Sequence, residues 1–328
     1  MSAYQSFTLL FTISDSLFTF RLFAVCCLLM NDSWPELKFA EWQDTLATLH
    51  MWTQVVGKIR LKQTPLVNHW WNAALYVSAR GLTTTAMPYR DGRVFEVEFD
   101  FIDHKLRIEC SDGAIKILEL GPQSVAEFYA EVMTALRDLG IEVKIWTMPV
   151  EIPNPIRFTE DREHKSYDAE YANRFWRALV KMDDVFKEFR ARFIGKASPV
   201  HFWWGSFDHA VTRFSGEPAP ERPGADLITR EAYSHEVISH GFWPGNKDME
   251  AAFYSYTAPE PAGLADTVSQ GKIRPAQTFY SAEMKEFFLL YDDVRRSDSP
   301  ETTLMDFCQT TYEAGADLAN WDRTALER

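Results

Sequence analysis

Apolar positions first recur at helical spacing. Leu37, Trp42, Leu46, Leu49, Thr53 and Val56 stand three to five residues apart, which predicts a helix over 36–60, and Pro65 bars its continuation. The period then drops to two. Trp71, Ala73, Leu75, Val77 and Ala79 share one face of a strand predicted over 69–79. Val94–Phe101, Lys105–Cys110 and Ile115–Leu120 read as further strands, parted by turns at Asp91-Gly92, Asp103-His104 and Asp112-Gly113. Such close spacing predicts an antiparallel meander. Ser124–Leu139 returns to helical spacing, with Val125, Phe128, Val132, Leu136 and Leu139 on one face and Gly140 as a cap. Ile141–Trp146 reads as a last strand.

Pro149, Pro153 and Pro155 then mark a linker, taken as 149–168. A second long helix is expected over Ala169–Phe193. Strands follow at Val200–Phe214 and Phe253–Tyr256, with a further one at His235–Phe242. Gly216–Gly224 and Ala258–Pro275 read as loops, and a closing helix runs from Thr303 to Leu318.

This pattern is α+β, in two halves of helix, antiparallel meander and helix, residues 30–148 and 169–328. The halves share landmarks. Gly57-Lys58, Pro65 and His69-Trp70-Trp71 in the first parallel Gly195-Lys196, Pro199 and His201-Phe202-Trp203 in the second. An internal duplication about a pseudo-two-fold axis is the reading. Setting His69 against His201 keeps apolar residues on one side of the pleat, which selects that register.

A formal net charge of −13 without a long basic run argues against a nucleic-acid partner. Cys26, Cys27, Cys110 and Cys308 form no CxxC pair, so neither a disulfide framework nor a thiolate zinc site is indicated, and a reducing cytoplasm fits. Phe7–Met30 is mostly apolar, but Asp15 and Arg21 interrupt it. That placement disfavours both a spanning helix and a signal peptide. Residues 1–29 are read as an upstream extension, with Met30 as the start.

The strings WPELKFAEWQDTLATLHMWTQVVGKIRL, RFWRALVKMDDVFKEFRARFIGK, SPVHFWWGSFDHAVTRFSG and YSHEVISHGFWPG resemble the bacterial domain-of-unknown-function family 5996. The resemblance covers Ser33 to Arg328. It implies a shared fold and a soluble bacterial protein, and nothing about catalysis.

Histidines lead the candidate chemistry. His50, Gln54 and Lys58 share a polar stripe on the first helix, which would suit a pocket wall or a solvated face. His69 and His201 carry the parity of the apolar face and should point inward, either as core histidines or as a pair facing a shared cleft. Lys58 and Lys196 would join them. On the second-half strand, Asp208 falls on the side of Trp204 and Ser206, while His209 faces the other way. Glu160–His164 reads as a solvated charge run, with Tyr167 and Asp168 suited to capping the next helix. His235-Glu236-Val237-Ile238-Ser239-His240 is one residue too long for the H-E-x-x-H metal helix and sits among strand-like neighbours. No phosphate loop, dinucleotide fingerprint or nucleophile elbow is present.

Three functions remain. The first is a small-molecule-binding protein or enzyme, with an aromatic pocket between the halves. Its catalytic candidates are His69, His201 and Asp208, and its ligand-binding candidates are His50, Gln54, Lys58, Lys196, Arg213 and Tyr256. The second is a metal-dependent enzyme holding a divalent ion on His201, His235 and Glu236. The third is a non-catalytic interaction protein presenting loops 216–232 and 258–277. No nucleotide cofactor is expected, and a membrane is an unlikely partner.

Overall fold

The structure is a computed structural model that describes residues 33–328; the reading of 1–29 lies outside the described residues. Among the described residues there are eight helices and two antiparallel sheets of six strands each.

The first half opens with α1 (Phe39–Gln63). Its sheet comprises β1 (Tyr76–Val77), β2 (Gly81–Thr83), β3 (Met87–Pro88), β4 (Val94–Asp100), β5 (Lys105–Cys110) and β6 (Ile115–Glu119). The order is β1-β2-β4-β5-β6, with β3 also on β4. Alternation decides which face is covered: Phe95, Val97, Phe99, Leu106 and Ile108 are buried, while Glu96, Glu98, Arg107 and Glu109 lie on the other side. The covered face meets α1 and α2 (Val125–Asp138), where Trp52 and Phe99 stack on Phe128. Ser124 starts α2 with a full capping box to Glu127.

The second half also opens on a long helix and carries six strands, but short helices interrupt them. α3 (Ala169–Ala191) is capped by Asp168, which accepts from the Tyr171 amide. Then come β7 (His201–Trp203), β8 (Asp208–Pro218), α4 (Leu227–Ala232), β9 (His235–Gly245), β10 (Glu250–Ala258), α5 (Asp266–Ser269), β11 (Phe279–Ser281), β12 (Glu286–Leu290), α6 (Tyr291–Arg295), α7 (Pro300–Leu318) and α8 (Arg323–Leu326). The sheet runs β11-β12-β10-β9-β8-β7. One face is packed by α3 and α7. Phe186 meets Phe253, Phe189 meets the His240 ring, and Gly315 leaves room for Thr257.

The two sheets are joined. Leu75, just before β1, and Phe202 in β7 exchange backbone hydrogen bonds of 2.9 and 2.8 Å. α3 ties both halves as well. Its Trp176 donates to the Ser78 carbonyl, its Asn173 to the Phe101 carbonyl, and its Asp183 holds His209 of β8 at 3.1 Å.

Several expected elements differ. The strand predicted over 69–79 shrinks to Tyr76–Val77, because His69 and Trp70 hold φ of 57° and 62°, left-handed values that no strand accommodates. Ile141–Trp146 forms no strand. β11 and β12 lie where no strand was predicted, and α5 interrupts a predicted loop. The charge run 160–164 is not solvated throughout. Asp161 is fully buried, accepts from the Glu163 and His164 amides and pairs with the His164 ring at 2.7 Å. The Asp161 and His164 carbonyls in turn take the Ala126 and Val125 amides, finishing the start of α2.

Candidate functional site

The face of the second sheet that α3 and α7 leave uncovered is the floor of a cavity of about 990 Å³. The pleat selects its residues. They are Asp208, Ala210, Thr212 and Phe214 from β8, Val237, Ser239 and Trp243 from β9, Tyr254 and Tyr256 from β10, and Glu286 and Phe288 from β12. The first half supplies walls. Lys58, Leu61 and Lys62 come from α1, Trp70 and Trp71 from the left-handed turn, and Lys144–Trp146 and Val150–Glu151 from the segment after α2. Residues 203–206 and α4, with Tyr233, complete the rim.

Tyr254 reaches across the floor. It sits in register with Gly241 on β9, which pairs with Ala210 on β8. A Cβ on Gly241 would fall 2.3 Å from the Tyr254 Oη, so only glycine lets the ring lie flat over β9. The phenol thereby donates to Asp208 Oδ2, while Ser206 donates to Oδ1. Tyr256 stacks on Tyr254 with ring centroids 6.2 Å apart and receives the Tyr233 hydroxyl at 3.1 Å.

Burial raises the Asp208 carboxyl despite its two hydroxyl donors. Burial, then the neighbouring Asp208, pushes Glu286 up to about 7 and raises Glu151 as well. Lys58 is lowered to about 8 by burial. Its ammonium donates to the Met148 carbonyl at 2.5 Å and lies 4.6 Å from the centre of the Trp146 ring.

A family model described as Family of unknown function (DUF5996) matches residues 34–328. The chain belongs to that family. No curated protein and no solved structure matches it. The DUF5996 match spans both halves, so the cavity lies wholly within the family's region.

In this DUF5996 fold, Asp208, Tyr256, His69 and Lys58 line the cavity. His69 is held in place: Nδ1–H donates to the Glu231 carbonyl at 2.9 Å, and Nε2 accepts from Lys196 Nζ at 2.5 Å. His69 therefore pairs with Lys196, not with His201 as expected. His50 and Gln54 brace the walls. His50 Nε2 bonds the Gly205 carbonyl at 2.8 Å, and the Gln54 amide makes reciprocal bonds to the Val150 backbone at 2.8 and 2.9 Å.

His201 is fully buried beside Trp71, Tyr76 and Trp203, neither ring nitrogen finds a hydrogen-bond partner among the described residues, and burial pushes it down to about 3. Arg213 has odd parity on β8 and so points to the opposite face. It lies among Phe189, Phe193 and Tyr312 and donates to the Phe189 carbonyl. The proposed metal set does not assemble. His235 edges onto His69, alternation turns Glu236 to the other side of β9, and His201 lies two strands away. Among the described residues no group of three or more His, Cys, Asp or Glu could hold a metal ion. β9 is a strand, so the 235–240 motif makes no metal helix.

Sequence reasoning missed Glu286, Glu151, Tyr254, Tyr233 and Trp243. Glu286 had a signal, since it precedes the continuous apolar run Phe287–Leu290 of a buried strand. Glu151 lies in irregular chain and had none. No helix among the described residues is long and apolar enough to cross a membrane.

Proposed function

We propose that the protein binds a small organic molecule in the cavity over the second sheet. The observation that carries this reading is the Ser206–Asp208–Tyr254 cluster with Glu286, polar groups turned into a large aromatic void instead of toward solvent or core. Ligand sites typically occupy about 300–1,000 Å³, with mostly apolar walls and a few convergent polar groups. This cavity sits at the upper end of that range and has six lining residues that are tryptophans.

A ligand-observed NMR fragment screen tests the reading. Thr212 lines the floor, so Thr212→Trp should intrude on the cavity above β8 and weaken the wild-type hits while the unfolding midpoint holds. Hits of unchanged affinity in a folded Thr212→Trp variant, or their absence from the wild type, would sink the proposal.

A second reading has its own support. Glu286 near 7 and Lys58 near 8 both titrate close to neutrality in one cavity, which suits general acid–base chemistry. Product detected by mass spectrometry from a bound fragment, and lost in Glu286→Gln with binding retained, would support turnover. Turnover unchanged in that variant would remove Glu286 from the chemistry.

A further inference from the structure

We infer that the ligand of this cavity is an organic cation, an amine or quaternary ammonium carried on an aromatic or apolar body. The inference rests on the small-molecule reading above and adds the charge of the ligand's head.

The argument begins with how this chain treats its other buried carboxylates. Asp100, Asp161, Asp183 and Asp208 are the buried aspartates among the described residues. Asp100 pairs with Arg80 at 2.6 Å, Asp161 with His164 at 2.7 Å, and Asp183 with Lys187 and His209. Each burial is offset by a cationic partner from the chain, as a buried charge requires. Asp208 is 7% exposed, its side-chain donors are the Ser206 and Tyr254 hydroxyls, and among the described residues it forms no ion pair. Glu286 and Glu151 lie close enough for Asp208 to raise both, and among the described residues neither makes an ion pair or side-chain hydrogen bond. Three carboxyl groups thus line one void, and Asp208 disfavours the ionisation of the other two. A cation entering there would relieve that repulsion.

The walls agree with this assignment. Tyr254 and Tyr256 stack at 11° beside the carboxyl groups, with Tyr233 and Trp243 near them on the floor and rim. Aromatic faces attract ammonium groups through their quadrupoles. Among the described residues the chain's own amines make no ion pair with these three carboxyl groups, and Lys196 is held by His69 near the Phe214 and Trp71 rings. Lys58 is engaged by the Met148 carbonyl and Trp146, eight residues along α1 from His50, which holds the Gly205 side of the rim. Eight helical residues span about 12 Å. Lys62 and Lys144 are exposed at the Lys58 end. The acidic end therefore stays open to a cation from outside.

Isothermal titration of the full chain with three indole probes tests this. Tryptamine is the cation, tryptophol its neutral counterpart and indole-3-propionate the anion. At about pH 8, tryptamine should bind at least about tenfold tighter than tryptophol. That preference should shrink toward unity at about pH 6, where Glu286 takes up a proton. It should also shrink in Asp208→Asn and Glu286→Gln, while both variants keep tryptophol affinity and hence the fold. Tryptophol or the propionate binding as tightly as tryptamine would overturn the cation. If Thr212→Trp then weakened that binding, the small-molecule reading would survive alone. No tryptamine binding at millimolar concentration would also overturn the cation, leaving the fragment screen to decide the broader reading.

Discussion

Gly57→Ala sets two local rules against each other. In a helix interior, glycine is worse than alanine by about 1 kcal/mol, so helix propensity alone makes the substitution stabilising. The structure reverses the sign. A Cβ on Gly57 would lie 2.3 Å from Cγ and Cδ1 of Trp204 and 2.4 Å from its Nε1. The indole cannot simply step aside, because Trp204 is 7% exposed and its Nε1 donates to the Ala73 carbonyl at 2.8 Å. Overpacking costs about 1–3 kcal/mol. Separating a buried donor from its acceptor costs about 1–3 kcal/mol more. Less the propensity gain, the net loss is about 1–5 kcal/mol, centred near 3. Urea unfolding followed by circular dichroism measures it, with a double-mutant cycle as the sharper form. In a Trp204→Ala background the added methyl meets no indole, and Gly57→Ala should turn stabilising by about 1 kcal/mol. A stabilising effect in the wild type, or the same effect in both backgrounds, would refute the close-approach argument.

Two further outcomes are expected. Arg213 is buried among aromatic rings and, among the described residues, forms no ion pair, so Arg213→Met should cost less than about 1.5 kcal/mol in urea unfolding, while Arg213→Ala, which leaves a cavity, should cost about 3–5 kcal/mol; equal costs would contradict a packing role. His201 and His240 are fully buried and held below their ordinary 6.5, so the unfolded chain takes up their protons first. Stability is therefore complete above about 6.5 and falls with pH below it, by up to about 1.4 kcal/mol per pH unit for each histidine. His201→Phe should remove one proton's share of that slope between about pH 6 and 5, and an unchanged slope would show that the His201 ring is not held neutral.

The long helices were legible because several turns of apolar spacing outweigh any local ambiguity. α2 also announced its start through Ser124 and Glu127. α7 begins at Pro300, earlier than Thr303, since proline is well placed in a first turn. Strand limits were harder to read: Val200–Phe214 splits into β7 and β8, and β8 and β9 each run to eleven residues, past the Phe214 and Phe242 where they were expected to stop. The pleat put Asp208 and His209 on opposite faces, and the same parity applied to Arg213 would have moved it off the candidate site. The strand expected at His69 was misread for a different reason. The direction of His69 follows from a left-handed turn, which an alternating pattern hides. The cavity itself was not legible, because it depends on β12 bringing Glu286 beside β10 and on an irregular segment delivering Glu151. Both are long-range placements that local spacing does not encode.

The Leu75–Phe202 bridge has a consequence for modularity. Two backbone hydrogen bonds fix one half's walls over the other half's floor, so the void belongs to neither half alone. A chain cut after residue 148 would leave Trp71 and Trp146 on one fragment and Asp208, Tyr254 and Glu286 on the other, each exposing a surface shaped to be covered. Exchange of halves between relatives would have to preserve that seam in register. The two parts meet across that seam much as the subunits of an obligate dimer do.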